Sequence, residues 1–441
     1  MSNVYLVSLG CDKNRVDGEV MIGTLRVAGY TVVNDPQTAT AIVVNTCGFI
    51  RDAVQESIDL ILELSEHKTN GSCQALIIVG CMAARYKDEI LESIPEADVI
   101  IGVGEYENIA NVVEGLIGAP LGGLKESTAA ARLAARSDDI NPHIAYVKIA
   151  EGCDNHCTYC TIPSIRGPYK SRTMEDILEE SRGLIAAGAR ELVLVAQDTA
   201  LYGTDIYNEK RLPELLKKLA ELSGATWIRL MYAYPEHITQ KLIDTMAELP
   251  QVCKYIDMPI QHSDPLILER MGRSGDKDKL TDIINALRTA MPDIAIRTTL
   301  IVGFPGETYQ NYRHLLRFVQ TTEFERLGVF PYSQEEGTPA ADMPHQVKEQ
   351  VKQSRLERVM TLQQGIHFEK QSSLVGSIVD VMVDFETEQG KYVGRTQWDA
   401  YEVDTVVNFS SDVALTQGNV YPVKILGSTR YDLRGKHEPA Q

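Results

Sequence analysis

The chain is predicted to be an α/β protein built in three parts: an N-terminal open parallel α/β sheet, a central partial TIM-type (β/α)6 barrel and a C-terminal small all-β barrel. Three observations predict this. Buried-strand runs alternate with helical-period segments over the first 117 residues. The alternation resumes after a stretch rich in Gly, Pro and Ala, and there yields six further β/α units. Near residue 374 the pattern changes to short strand-like runs separated by turn residues.

In order, the N-terminal part (1–117) carries strand runs "VYLVSLG" (4–10), "AIVVNTC" (41–47) and "ALIIVGC" (75–81). Between them lie helical segments at 16–29, 53–66 and 87–94. Residues 118–138 mix Gly, Pro, Ala and charges without a core period and read as a linker. The central part (139–373) has strand runs at 144–150, 191–197, 227–233, 255–260, 294–303 and 326–333, with helices such as 174–188 and 281–291. A long charged helix at 348–371 closes it. The last part (374–437) supplies runs such as "SIVDVMVDFE", "GKYVGRTQ", "VDTVVNF" and "NVYPVKILGS", enough for a five-strand barrel.

Composition narrows the functions. The 441 residues are 44% hydrophobic, so large cores can form. No apolar run approaches the roughly 18 residues that span a bilayer, and the N-terminus lacks the features of a signal peptide. A cytoplasmic protein is expected. The net charge of −18 disfavours bare nucleic acid and favours a basic protein partner. Eight cysteines in a reducing compartment point to metal ligation or catalysis.

Three of these cysteines, Cys11, Cys47 and Cys81, each follow a strand run directly. In a parallel sheet all strand C-termini share one edge, so three thiols converge without any short motif. The alternative is three buried cysteines acting as small hydrophobes. Cys73 and Cys253 have no such placement and are expected to be structural. A second trio, Cys153, Cys157 and Cys160, follows the first barrel strand with spacing C-x-x-x-C-x-x-C, at the mouth where barrels keep their chemistry. A structural zinc or a ferredoxin cluster takes four ligands. Three leave one position open for a substrate, with His156 an unpromising fourth inside the loop.

The "EGCDNHCTYC" stretch, with an aromatic residue before its last cysteine, resembles the radical S-adenosylmethionine superfamily. The resemblance implies that Cys153, Cys157 and Cys160 hold a four-iron four-sulfur cluster whose fourth iron binds S-adenosylmethionine. It places Tyr159 near the adenine, and "LIVGFPGET" (300–308), with Gly303, on the strand beside it. The arrangement of a three-cysteine domain, this barrel and a terminal β-barrel is similar to the methylthiotransferase family over nearly the whole chain. That family carries a second such cluster, mapped onto Cys11, Cys47 and Cys81, and ends in a TRAM domain. "SLGCDKNRVDGEVM", "CTIPSIRGPYKSR", "VAQDTALYGTD" and "VGRTQWDAYEVD" resemble its RimO-type branch. One departure is Gly18, where a serine or similar residue is usual.

This branch implies methylthiolation of the β-carbon of an aspartate in small-subunit ribosomal protein twelve. The alternative is the branch that modifies a transfer-RNA adenosine. The implied cofactors are two four-iron four-sulfur clusters and S-adenosylmethionine, and the implied partners are the ribosomal protein and an external electron donor. Residues 374–441 hold ten Asp/Glu and six Lys/Arg, which fits a basic protein target and makes RNA contact secondary. A non-catalytic iron–sulfur carrier or ribosome-binding module is the rival from another class. Gln197, Asp198 and Tyr202 are expected near the barrel mouth. Gln197 and Arg297 are expected to contact cofactor, and Arg229 and Arg297 to face a carboxylate.

Overall fold

The computed structural model describes residues 2–118, 142–273 and 277–439. All of the expected linker but Gly118 lies outside the described residues. The N-terminal sheet contains β1 (Asn3–Ser8), β2 (Thr31–Val33), β3 (Ala41–Thr46), β4 (Ala75–Gly80) and β5 (Val99–Ile101). All pairs are parallel, in the order β2-β1-β3-β4-β5. Every residue of β3 and β4 is buried, as strands covered on both faces require. Ala41 and Val43 face a core with Met21, Leu25 and Val113, whereas Ile42 and Val44 face one with Ile61, Leu64 and Ile90. The period of two thus sends alternate side chains to helices on opposite sides. The three-residue strands β2 and β5 were not expected from the sequence.

The central part has β6 (Ile144–Lys148), a two-residue hairpin of β7 (Ala150–Glu151) and β8 (Lys170–Ser171), then β9 (Glu191–Val195), β10 (Trp227–Leu230), β11 (Val252–Asp257), β12 (Ala295–Val302) and β13 (Arg326–Pro331). Six parallel strands run in the order β13-β12-β11-β10-β9-β6 without closing. Outward residues such as Val147, Leu194, Leu230 and Ile296 join the core beneath the helices. Inward residues Tyr146, Val193, Trp227, Tyr255 and Ala295 meet Val16 of the N-terminal helix Asp12–Val27, and Met382 and Ala400 of the terminal barrel.

The terminal barrel is closed, in the order β14 (Ile378–Glu388), β15 (Lys391–Arg395), β16 (Val407–Ser410), β18 (Leu433–His437) and β17 (Val420–Ser428). Its fifth strand, β18, lies parallel to β16. The segment between β15 and β16 inserts against the inner face of the partial barrel. There Arg229 Nη1 donates to Gln397 O at 2.8 Å and Tyr255 Oη to Asp404 Oδ2 at 2.8 Å. Beside it, Glu191 accepts from Arg229 Nε at 2.6 Å and from Arg395 Nη2 at 2.8 Å. Arg229 does face a carboxylate, but a fully buried one of its own chain. Burial opposes the charge on Glu191, yet the two guanidiniums hold it at about 2.

Candidate functional site

The N-terminal trio is gathered at the C-terminal edge of its sheet. Cys11 follows β1, Cys47 follows β3 and Cys81 follows β4. Gly10 has φ +92°, and a Cβ there would lie 2.9 Å from Cys47 Sγ, so only glycine lets the Cys11 turn approach Cys47 this closely. Asn14 braces all three strand ends. Its Nδ2 donates to Leu9 O and Thr46 O, both at 2.9 Å, and its Oδ1 lies 3.7 Å from Cys81 Sγ. Burial raises the Cys81 thiol to about 11, against the pull of the Arg166 guanidinium, with Cys11 and Cys47 adding to the rise. Burial raises Cys47 as well, and Cys11 again adds to it. The three thiols therefore share one electrostatic neighbourhood. Metal binding removes the proton that burial retains.

Gly18 has a local explanation. A Cβ at this position would stand 2.2 Å from Ser8 Oγ, which accepts from Asn45 Nδ2 at 3.1 Å. A serine at 18 would displace Ser8.

The central trio is held by one loop. Cys153 N donates to Gly167 O at 3.1 Å and Cys160 N to Cys157 O at 3.0 Å. Thr158 ties the loop to the end of the distant helix Pro265–Arg270 through its N–H to Met271 O and its hydroxyl to Arg270 O. Burial raises Cys153 to about 11 and Cys160 to about 12, partly offset by backbone N–H groups of Asn155 and Ile162. Such N–H groups stabilise thiolates in iron–sulfur sites. Cys157 Sγ sits 3.5 Å from Tyr234 Oη, and His156 is exposed with φ +45°. Among the described residues no three His, Cys, Asp or Glu converge on a single-ion position. Thiols that bind different irons of one cluster need not. The all-thiol donor sets, the N–H donors and the buried guanidinium beside the N-terminal trio fit iron–sulfur clusters.

The segments that carry the two trios are in contact. Thr161 Oγ1, beside Cys160, donates to Phe49 O two residues after Cys47. Glu335 accepts from Arg51 N and Arg85 Nη1, both at 3.0 Å, and Arg85 also donates to Gly48 O. Asp12 accepts from Tyr232 Oη at 2.8 Å, and Lys13 Nζ stands 3.3 Å from the Tyr232 ring centroid. Tyr232, at the end of β10, holds φ +57°, a strained value of the kind that clusters at functional sites.

The remaining expected residues fall as follows. Tyr159 packs against the cluster of Ile267, Met271, Phe304, Tyr332 and Ala340, which includes the start of the loop after β12. Gly303, with φ +73°, starts that loop, and a Cβ there would collide with Lys352. Gln197 Nε2 donates to Glu151 Oε1 at 2.9 Å, leaving its buried Oε1 without a protein partner. Asp198 is buried and accepts from Asn155 Nδ2 at 3.1 Å, with His237 Nδ1 2.6 Å away. Tyr202 is buried and donates to Arg172 O. The Arg297 guanidinium is engaged by Asp257 at 3.0 Å and Asp404 at 3.4 Å. Asp404 arrives from the terminal barrel, a partner no local pattern discloses. Sequence reasoning also missed Asn14, Arg166, Tyr232 and Glu335. Asn14 and Arg166 stood inside stretches already singled out, but single polar residues there carry no spacing signal.

Residues 3–102 match the family described as "Uncharacterized protein family UPF0004", residues 147–319 the radical SAM superfamily, and residues 375–437 the TRAM domain. The chain is 47% identical over 445 residues to the "Ribosomal protein uS12 methylthiotransferase RimO" of Desulforamulus reducens, covering 99% of each chain. It is 46% identical to the protein of that name from Clostridium tetani, covering 98% of this chain and 97% of the relative. For Geobacter sulfurreducens the identity is 44%, with 98% of each covered. Among solved structures it resembles the radical S-adenosylmethionine methyltransferase TsrM of Kitasatospora setae, with TM-score 0.55 at 14% identity over 89% of this chain and 80% of that one. That likeness shows a shared fold.

Proposed function

Since the chain belongs to the RimO family of ribosomal protein uS12 methylthiotransferases, we propose that it adds a methylthio group to the β-carbon of an aspartate in that small-subunit protein. The observation that carries this reading is the pair of thiol trios on touching segments, one drawn from three strand ends and one from a single loop. S-adenosylmethionine and iron–sulfur chemistry come with the radical SAM superfamily. Two four-iron four-sulfur clusters, one per trio, are our reading of the six thiols. An unactivated aliphatic C–H has no acidity that His, Glu or Lys could exploit. When bound, the clusters and S-adenosylmethionine would pass on the donor's electron and supply the hydrogen-abstracting radical and the methylthio group.

The chain's own residues bind and orient. Cys153, Cys157 and Cys160 hold the cluster that engages S-adenosylmethionine, and Cys11, Cys47 and Cys81 hold the auxiliary one. Tyr159, backed by Phe304 and Met271, provides an apolar wall beside the central trio. Gly303 allows the turn that sets Phe304 there. Gln197 offers its unpartnered amide oxygen to the polar end of the cofactor. Arg297 acts at one remove, by holding Asp257 and the inserted 396–405 segment.

We divide the chain into an auxiliary-cluster domain (1–117), a linker (118–138), the radical-SAM barrel (139–373) and the TRAM barrel (374–437). The three matched ranges fall inside these parts and support the division. No helix among the described residues is long and apolar enough to cross a membrane, and a ribosomal target supports a cytoplasmic location. The electron comes from an external donor. The acidic balance of residues 374–441 supports a basic protein target. Lys424, Arg434 and Lys436 stand on β17 and β18, where RNA contact would be secondary. The test is to offer reduced, reconstituted enzyme both uS12 and transfer RNA with S-adenosylmethionine. The mass gain of a methylthio group is expected on uS12. Gain on the RNA alone would move the chain to the transfer-RNA adenosine branch.

A further inference from the structure

Arg166 belongs to the central domain by sequence and to the N-terminal trio by position. It ends the short helix Ile162–Arg166 that begins just after Cys160. Its guanidinium nevertheless reaches across the domain boundary. Nη2 donates to Asn14 Oδ1 at 2.7 Å, the same oxygen that lies 3.7 Å from Cys81 Sγ. Nη2 also meets Asp17 Oδ2 at 3.2 Å, and Nη1 meets Glu151 Oε1 at 2.8 Å. The side chain is 1% exposed. A planar fork with three fixed acceptors leaves no freedom to swing away.

The charges around it balance in pairs. Lys148 joins Asp17 and Glu151, so two buried cations meet two anions, the buried Asp17 and the half-buried Glu151. Placed on the thiol side of this group, Arg166 is the cation that the trio meets first. Three thiolates around an iron–sulfur cluster make an anionic centre, and one-electron reduction makes it more so. A fixed positive charge at short range, away from water, favours the reduced form.

We propose that Arg166 is the positioning residue that sets the reduction potential of the cluster at Cys11, Cys47 and Cys81, through its buried charge and its hydrogen bond to Asn14. The inference rests on the reading that this trio holds a cluster. The event is addition of one electron from an external low-potential donor, with no bond made or broken. Because Arg166 and Cys160 share one short segment, a single piece of chain both ligates the central cluster and polarises the auxiliary one.

The test uses the full chain with Cys153, Cys157 and Cys160 replaced by Ala, reconstituted anaerobically and titrated with dithionite and mediators while the cluster's electron paramagnetic resonance signal is followed. Arg166→Gln should lower the reduced-to-oxidised ratio at fixed potential about tenfold, equivalent to about 59 mV for one electron. Arg166→Lys, which keeps the charge, should stay within about twofold. Asp17→Asn should shift the ratio in the opposite direction to Arg166→Gln. An unchanged potential in Arg166→Gln, or shifts of the same sign in Arg166→Gln and Asp17→Asn, would overturn the proposal. Should Arg166→Gln lose its iron, the Asp17→Asn titration decides alone: a raised potential supports the role and an unmoved one ends it. Failure of the parent triple variant to bind iron would instead refute the trio reading itself, before any arginine is changed.

Discussion

The two thiol trios reach the same chemical composition by opposite routes. Cys153, Cys157 and Cys160 lie within eight residues, and their loop is shaped by its own backbone hydrogen bonds and by two anchors to the end of the helix Pro265–Arg270. Cys11, Cys47 and Cys81 span seventy-one residues and meet only because three parallel strands end on one edge. A local loop tolerates changes elsewhere in the fold. A distributed site inherits every error in strand register, and here it depends on one amide, Asn14, to keep three ends together. Robustness and assembly thus differ although the ligands do not.

The most severe way to probe this contrast is to remove each trio whole. Wild-type chain reconstituted without oxygen should bind about eight irons, four per site. Replacing Cys153, Cys157 and Cys160 by Ala should abolish S-adenosylmethionine cleavage and methylthio transfer together. Replacing Cys11, Cys47 and Cys81 should halve the iron and abolish transfer while cleavage to 5′-deoxyadenosine persists. If the second variant, still folded, also lost all cleavage, the division of labour between the sites would be wrong.

Asn14→Ala comes next and tests the brace. It removes the donor to Leu9 O and Thr46 O and the acceptor for Arg166. Leaving these buried groups unpaired should cost about 2–3 kcal/mol in a urea titration of the chain. Iron should be lost from the N-terminal trio only. Equal loss from both trios would mean that the distributed site is no more fragile than the local one.

The central side has its own sensitivity, to pH. Burial raises the Glu307 carboxyl to about 7, against the pull of Arg355 and the N–H groups of Gly303 and Phe304. A folded value above the unfolded one means that the native state holds the extra proton. This stability is present at low pH and is lost as pH rises from about 4.5 through about 7. The chain should lose about 2 kcal/mol between pH 5 and 7.5 from this group. Glu307→Gln should flatten that slope in denaturant titrations run across the range. The smallest effect is expected for His156→Asn. His156 is exposed, and asparagine accepts its left-handed backbone, so iron content and cleavage should stay at wild-type levels. Lost iron would make His156 a ligand and the central trio a quartet.

The same contrast explains what the sequence alone could convey. All six cysteines were legible, because each stands directly after a strand run or inside a compact spacing. The parallel sheets followed from runs such as 41–46 and 75–80, which are buried throughout and mostly apolar. The three-residue strands β2 and β5, and β18 with "LRGKH", were not legible, since such segments are ordered by their neighbours rather than by their own pattern. Arg229 and Arg297 do face carboxylates, but no local pattern says whose. Their partners are Glu191, Asp257 and Asp404 of the same chain, and Asp404 lies 107 residues beyond Arg297 in sequence. Asn14 and Arg166 were invisible for the same reason: their meaning lies in contacts across 67 and 152 residues.

The segment between β15 and β16 makes the terminal barrel something other than an appendage. Asp399, Ala400 and Asp404 complete the interior of a barrel that stops at six strands, so the partial barrel borrows its inner lining from a later part of the chain. Cutting the chain at residue 374 would not release a self-sufficient enzyme. It would lay Arg229 and Glu191 open to water and strip a counter-ion from Arg297. Exchanging this module for another of the same family would have to transplant its finger along with its strands.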